Sequence, residues 1–381
     1  MYSVPLLSLV LLATNAAAQM SLSQALSQNN GTLSTLSMLL MQQPALLRSL
    51  SNMTTGMTIL APSNAAFSKF LASPENKAAV GKSDVVTAVL SYHVLNGTFP
   101  ASKFTTQAQF IPTLLTNESY TGVTGGQVVQ VALDGSKAVV TTGLKETSFT
   151  KQTDIMFNGG VMHIIDTVLT IPISPSMTAI DSKLTSLAGG LTNTNLVTAV
   201  DGLKDATIFA PSNEAFEKIG NTAAALPSAQ LGQILQYHVL KGTVGYSPLL
   251  TSGLTNESFP TLTGAPLTVT AEDAKVFVNS AQVITTDIIV SNGIMHVIDN
   301  VLNPANSTIV SNPTATTQPI AFEGATSAAV APFTSGIKAT TTAPSAATGT
   351  SAVRNEVGEM GRGMGVRGAM VVVVGAAVVW L

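Results

Sequence analysis

One stretch of this chain occurs twice. YHVLNGT, at Tyr92–Thr98, returns as YHVLKGT at Tyr237–Thr243, and only Asn96 and Lys241 differ. Other blocks return around it in the same order. MTILAPSNAAF (Met57–Phe67) becomes ATIFAPSNEAF (Ala206–Phe216), LTNES recurs at Leu115–Ser119 and Leu254–Ser258, and NGGVMHIIDTVL (Asn158–Leu169) becomes NGIMHVIDNVL (Asn292–Leu302). Matched blocks in matched order mean two copies of one domain. A chain of 381 residues has room for both, each with its own core. The copies are placed at 19–170 and 174–303, with the turn-rich IPISPS between them. His93 to His163 spans 70 residues and His238 to His296 spans 58, so the first copy carries 12 more. An excess of that kind belongs in a surface loop.

Periodicity gives the elements. Val86, Val89 and Leu90 sit 7, 4 and 3 residues ahead of His93, and Leu231, Ile234 and Leu235 sit identically ahead of His238. That spacing predicts a short amphipathic helix before each Tyr-His pair, with Ser83 and Ser228 as N-caps. Phe67, Phe70 and Leu71 repeat the spacing after the Ala-Pro-Ser-Asn turn. TIFA, LTVT, KVFV and VMHIID are rich in β-branched residues and read as strands. The class is therefore α+β.

The two ends point outside the cell. Residues 1–18 form an apolar run ending in Ala16-Ala17-Ala18, the pattern of a cleaved signal peptide. Residues 304–355 are rich in Ser, Thr, Ala and Pro, a composition that predicts a disordered, O-glycosylated stalk. Residues 356–381 end in an apolar tail of 13 residues, Ala369–Leu381, too short to span a bilayer. With the polar spacer before it, and small residues at Gly349, Ser351 and Asn355, this segment reads as a glycosylphosphatidylinositol (GPI) attachment signal that is removed. Six N-glycosylation sequons, at Asn30, Asn52, Asn96, Asn117, Asn256 and Asn306, fit the same compartment. The predicted localisation is the extracellular face of the plasma membrane or the cell wall, with the membrane engaged only through the lipid anchor.

Charge and chemistry narrow the function. Charged residues are 10% and the net charge is −3, so no nucleic-acid partner is expected. The chain has no cysteine, so neither a disulfide framework nor a thiolate metal site is open to it. Its four histidines, His93, His163, His238 and His296, all lie inside the repeated blocks. His163 with Asp166, and His296 with Asp299, have the spacing of metal ligands, but residues three apart on a strand point to opposite faces. No metal or cofactor is expected. A hydrolase triad of Ser63, His93 and Asp166, repeated as Ser212, His238 and Asp299, is the enzymatic alternative. However, A-P-S-N-A lacks the strained setting of G-x-S-x-G, and a serine before Asn and a helical run reads as an N-cap. Gly159-Gly160 has no following P-loop Lys. With Trp380 and Tyr2 removed, only Tyr92, Tyr120, Tyr237 and Tyr246 could stack on sugars, few for a carbohydrate platform.

The repeated blocks resemble the fasciclin domain: T-I-L-A-P-S-N-A-A-F its first conserved segment, Y-H-V-L its Tyr-His motif, and N-G-x-M-H-x-I-D-x-V-L its second. The resemblance implies, for each copy, a β-sandwich-like wedge with packed helices. It also implies adhesion to a cell-surface or matrix protein or glycan rather than catalysis. In animal members the Tyr-His segment and an Asp-Ile pair are implicated in partner binding, which maps here onto Tyr92, His93, Asp154 and Ile155 and onto Tyr237, His238, Asp287 and Ile288. The plainer alternative is a passive spacer glycoprotein of the wall or matrix, in which the buried histidines only satisfy backbone groups. Asn96 makes a sequon beside the first Tyr-His pair that Lys241 abolishes beside the second. A glycan there would crowd the first edge, so a partner is expected to prefer the second domain.

Overall fold

The computed structural model describes residues 20–53, 55–252, 257–272 and 275–338. The predicted signal peptide (1–18), the sequon Asn256, the attachment candidates Gly349, Ser351 and Asn355, and the segment 356–381 lie outside the described residues. In the first domain the strands are β1 (Met57–Pro62), β2 (Val94–Asn96), β3 (Gln109–Pro112), β4 (Val128–Asp134), β5 (Lys137–Thr141), β6 (Thr147–Phe157) and β7 (Gly160–Ile165). They form one seven-stranded sheet ordered β2-β1-β7-β6-β5-β4-β3. The wedge is this single sheet curled on itself: an antiparallel bridge from Leu95 to Thr113 draws the two edges together, which leaves little open edge. Only β1 and β7 run parallel.

The second domain repeats the topology with β8 (Ala206–Pro211), β9 (Val239–Leu240), β10 (Ser258–Pro260), β11 (Pro266–Glu272), β12 (Lys275–Val278), β13 (Ala281–Val290) and β14 (Gly293–Ile298). Leu240 bridges to Thr261 at the equivalent closure. β1 and β8 are buried along their whole length, because helices cover one face and the curled sheet's interior lies against the other. The helix side of the first domain buries Leu33, Leu36, Leu40, Phe67, Val86 and Leu90 together. Its sheet interior buries Tyr92, Leu95, Ile111, Val129, Val131 and Val140.

The predicted helices are Ser83–Tyr92 and Ser228–Tyr237, each ending where its Tyr-His pair begins. Their caps differ from expectation. Lys82 and Pro227 hold the N-cap positions without a side-chain bond. Ser83 instead bonds Gln43, and Ser228 donates to the Asn193 carbonyl. Ser63 and Ser212 do cap, accepting from the amides of Ala66 and Ala215 at 3.2 and 3.1 Å.

The LTNES match is not structural. Leu115–Ser119 follows β3, whereas Leu254–Ser258 leads into β10, the counterpart of β3. The excess of the first copy lies in this region: residues 113–127 join β3 to β4, where the second copy has only 261–265. That loop grips the other domain. The Gly122 amide donates to the Ser291 carbonyl (2.8 Å), the Asp205 amide to the Gly122 carbonyl (3.1 Å), and Thr124 donates to both carboxylate oxygens of Asp205. Phe110 stacks on Tyr246 with ring centroids 4.2 Å apart.

Residues 304–338, expected as the start of a disordered stalk, lie packed on the second domain. Phe322, Ala325, Phe333 and Ile337 sit against its helix-side core. Composition averages concealed these spaced apolar anchors in an otherwise small and polar segment. The rest of the expected stalk lies outside the described residues.

Candidate functional site

The Tyr-His pair joins the two halves of each core. Tyr92 ends its helix pointing into the sheet, and its hydroxyl donates to the Val128 carbonyl at the start of β4 (2.9 Å). Tyr237 does the same to Pro266 at the start of β11 (2.8 Å). The next residue turns the other way. His93 Nδ1 bonds the Val89 carbonyl at 2.7 Å, so it carries the proton, and Nε2 accepts from the Leu169 amide at 2.9 Å. His238 copies this with Ile234 and Leu302, at 2.7 and 2.9 Å. Leu169 and Leu302 close the D-x-V-L blocks, so the two repeated motifs of each domain are tied through one imidazole. Burial without a charged partner pushes both histidines down to about 4.

The second pair of histidines holds the Asp-Ile pair. His163 Nε2 donates to the Phe99 carbonyl (2.8 Å), which leaves Nδ1 to accept from the Asp154 amide (3.2 Å). His296 repeats this with Gly245 and Asp287, again at 2.8 and 3.2 Å. Asp154 and Asp287 are left-handed, with φ of 60° and 59°, at register breaks in β6 and β13. Aspartate tolerates that conformation better than a branched residue. Each carboxylate accepts the first amide of a short helical segment, from Ala101 (2.9 Å) or Ser247 (2.8 Å). Burial lowers the pKa of His163 and His296 as well.

Exposure separates the candidates. Tyr92, His93, Ile155, Tyr237, His238, Asp287 and Ile288 are all buried. Asp154 alone is at the surface, on a stretch of β6 where Lys151–Asp154 and Met156 are also exposed. Asp287 is 2% exposed, on the side of its domain that meets Lys145 of the first. The open edge expected at the second Tyr-His pair is not formed, since both Tyr-His pairs are buried. Ile288 is buried in its own domain's core and Asp287 lies toward Lys145 of the first domain, while the Asn96 side chain, though exposed, stands beside a Tyr-His pair that is already buried.

Other candidates take structural roles. Ser63 and Ser212 are N-caps, and both ring nitrogens of His93 and His238 are spent on backbone groups, so neither set forms a triad. Asp166 accepts from the Phe149 amide and Asp299 from the Gln282 amide, tying β6 and β13 to the turns that follow β7 and β14. No group of three or more His, Cys, Asp or Glu able to hold a metal occurs among the described residues. Asn30, Asn52, Asn96 and Asn117 are exposed and Asn306 is half-buried. Among the described residues no helix is long and apolar enough to cross a membrane. Sequence reasoning missed Phe99, Gly245, Leu169 and Leu302 as partners, because they act through backbone atoms that leave no residue-type signal. It also missed Lys145.

The fasciclin-domain family model matches residues 31–172 and 182–304. A fasciclin-like arabinogalactan protein of Arthroderma benhamiae is 36% identical over 286 residues, covering 74% of this chain and 67% of that protein. One of Phaeosphaeria nodorum is 28% identical over 283 residues, covering 74% and 88%. The solved fasciclin domain pair of the insect cell adhesion molecule fasciclin I is 20% identical, with a TM-score of 0.35, covering 72% of this chain and 98% of that one.

Proposed function

The chain belongs to the fasciclin-domain family, and from that premise we propose that it is a lipid-anchored glycoprotein of the cell surface or wall. It adheres to a surface or matrix partner, protein or glycan, through the exposed stretch of β6 around Asp154 in its first domain. One observation carries the reading: of the eight candidate contact residues, only Asp154 reaches solvent, on a doubly irregular strand whose neighbours Lys151, Gln152, Thr153 and Met156 are exposed too. Broken register and exposed side chains suit a contact surface better than a strand meant only for packing. The four exposed sequons and the similarity to fungal arabinogalactan-type proteins support the glycoprotein part.

The test is attachment of beads carrying the full ectodomain to the cells that produce it. Asp154→Asn combined with Met156→Ser is expected to reduce attachment at least about fivefold while leaving the fold intact. Phosphatidylinositol-specific phospholipase is expected to release the native protein from cells; protein that stays with the cells after the lipase speaks against the anchor. A second reading, a passive spacer, is favoured by the burial of the other seven candidates. Unchanged attachment in the double variant would favour the spacer.

A further inference from the structure

Residues 305–338 lie beyond the matched domain, yet the second domain holds them chiefly by their main chain. Asn300 Nδ2 donates to the Pro319 carbonyl and Asn303 Nδ2 to that of Ala321, both at 3.0 Å. The Ala328 amide donates to the Glu217 carbonyl (2.9 Å), and Ser186 Oγ donates to the Pro332 carbonyl (2.7 Å). Two glycines let the backbone come this close. A Cβ on Gly189 would lie 1.8 Å from the Phe333 carbonyl oxygen, and one on Gly220 would lie 2.3 Å from the Ala328 Cβ. The anchor is Phe333, set edge-on to Phe216 with centroids 6.1 Å apart. Its φ is 65°, a conformation a bulky residue keeps only where its surroundings hold it.

The first domain supplies the contrast. Thr35 bonds Asn64 as Ser186 bonds Asn213, and this register sets Met38-Leu39 opposite Gly189-Gly190. In the first domain Leu39 itself lines an apolar hollow with Phe67, Phe70, Val86 and Leu90. Part of what Phe333 supplies to the second domain is thus built into the first. Both methionine and leucine at that place would block a passing backbone.

We infer that the second domain carries a peptide groove, and that residues 319–337 of the same chain are its resident ligand. The groove takes an extended, Ala-rich segment through its carbonyls and amides, with Phe333 anchored edge-on to Phe216 and Phe322 also against the core. The resident segment makes no strand pairing and buries few side chains. It therefore opens before the domain does, and an equivalent segment from outside takes the vacated groove.

The test uses the secreted full chain and a labelled peptide of residues 317–338. In Phe333→Ala, cleavage within 313–338 by limited proteolysis is expected to rise at least about tenfold, and the peptide is expected to bind at least about tenfold more tightly than to the unaltered chain. The same peptide with Phe333 replaced by Ala should not bind. Gly189→Met approaches from the domain side: it should free the segment to protease yet bind no peptide, with the domain's melting retained. Equal protection of the segment in all three chains would overturn the proposal. So would a Phe333→Ala chain that is cleaved readily but takes up no more peptide than the unaltered one. Should Phe333→Ala unfold the domain, Gly189→Met decides alone, and continued protection there overturns the proposal.

Discussion

His238 is held by two backbone groups, and they determine what its replacement does. His238→Leu removes a donor from the Ile234 carbonyl and an acceptor from the Leu302 amide, both inside the core. Leaving two buried polar groups unpaired costs about 2–5 kcal/mol. Asp154→Asn keeps a side chain suited to left-handed backbone at an exposed site, so its cost is expected to stay below roughly 0.5 kcal/mol. Urea denaturation of the two variants checks both, and a His238→Leu loss under 1 kcal/mol would mean that water replaces the missing partners. At this scale the sequence was legible in part. Four histidines confined to repeated blocks, two per copy, already pointed to a fixture of the fold. That His93 reaches the D-x-V-L block was not legible, since the Leu169 amide exists whatever side chain stands there. The burial of Asp287 was hidden for another reason: Ser247, Tyr246 and Lys145, which stand around it, are far from it in sequence.

At the scale of elements, the insertion shows how spacing outruns similarity. The 12-residue excess was readable from the histidine intervals, and a loop was the right kind of element for it. The identical LTNES strings misaligned it, because short sequence identity carries no register. What the loop does follows from Gly122. A Cβ there would lie 2.9 Å from both the Asn292 Cβ and the Leu203 carbonyl oxygen. Backbone on the far side cannot give way as a flexible side chain would, so Gly122→Val must lift the loop from the second domain. Its neighbour Thr124 would then lose its two bonds to Asp205, at 2.7 and 2.6 Å. Small-angle scattering of this variant is expected to show a larger and broader maximum dimension, while each domain keeps its secondary structure. An unchanged profile would mean that the Phe110–Tyr246 stack and the Ile173–Ser291 bond fix the pair without the loop. The helices before each Tyr-His pair show the opposite case. Their apolar triplets were legible because each copy buries the helix against its own core.

Across the whole molecule the histidines act together on stability. His93 and His238 are neutral in the fold down to about 4, against an ordinary value of 6.5, and burial lowers His163 and His296 too. Between those limits the unfolded chain takes up protons that the folded chain refuses. Stability is therefore intact above about 6.5 and falls as the pH drops toward 4, His93 and His238 each contributing a slope of about 1.4 kcal/mol per pH unit and His163 and His296 adding in the same direction. Burial raises Glu146 and Asp299, and their sign is opposite: the folded chain takes the proton more readily, so acidification favours it. These are two groups against four, and carboxyls begin to titrate nearer the acid end, so the histidines win over the upper part of the window. Because two histidines sit in each domain, both copies should weaken over the same range rather than one before the other. Urea unfolding at pH 7.5, 6.5, 5.5 and 4.5 is expected to show a plateau between the first two and a steepening loss below. A His93→Gln/His238→Gln pair, less stable at neutral pH, should show a shallower fall from pH 6.5 to 4.5. A fall as steep as that of the unaltered chain would place the acid sensitivity in other groups.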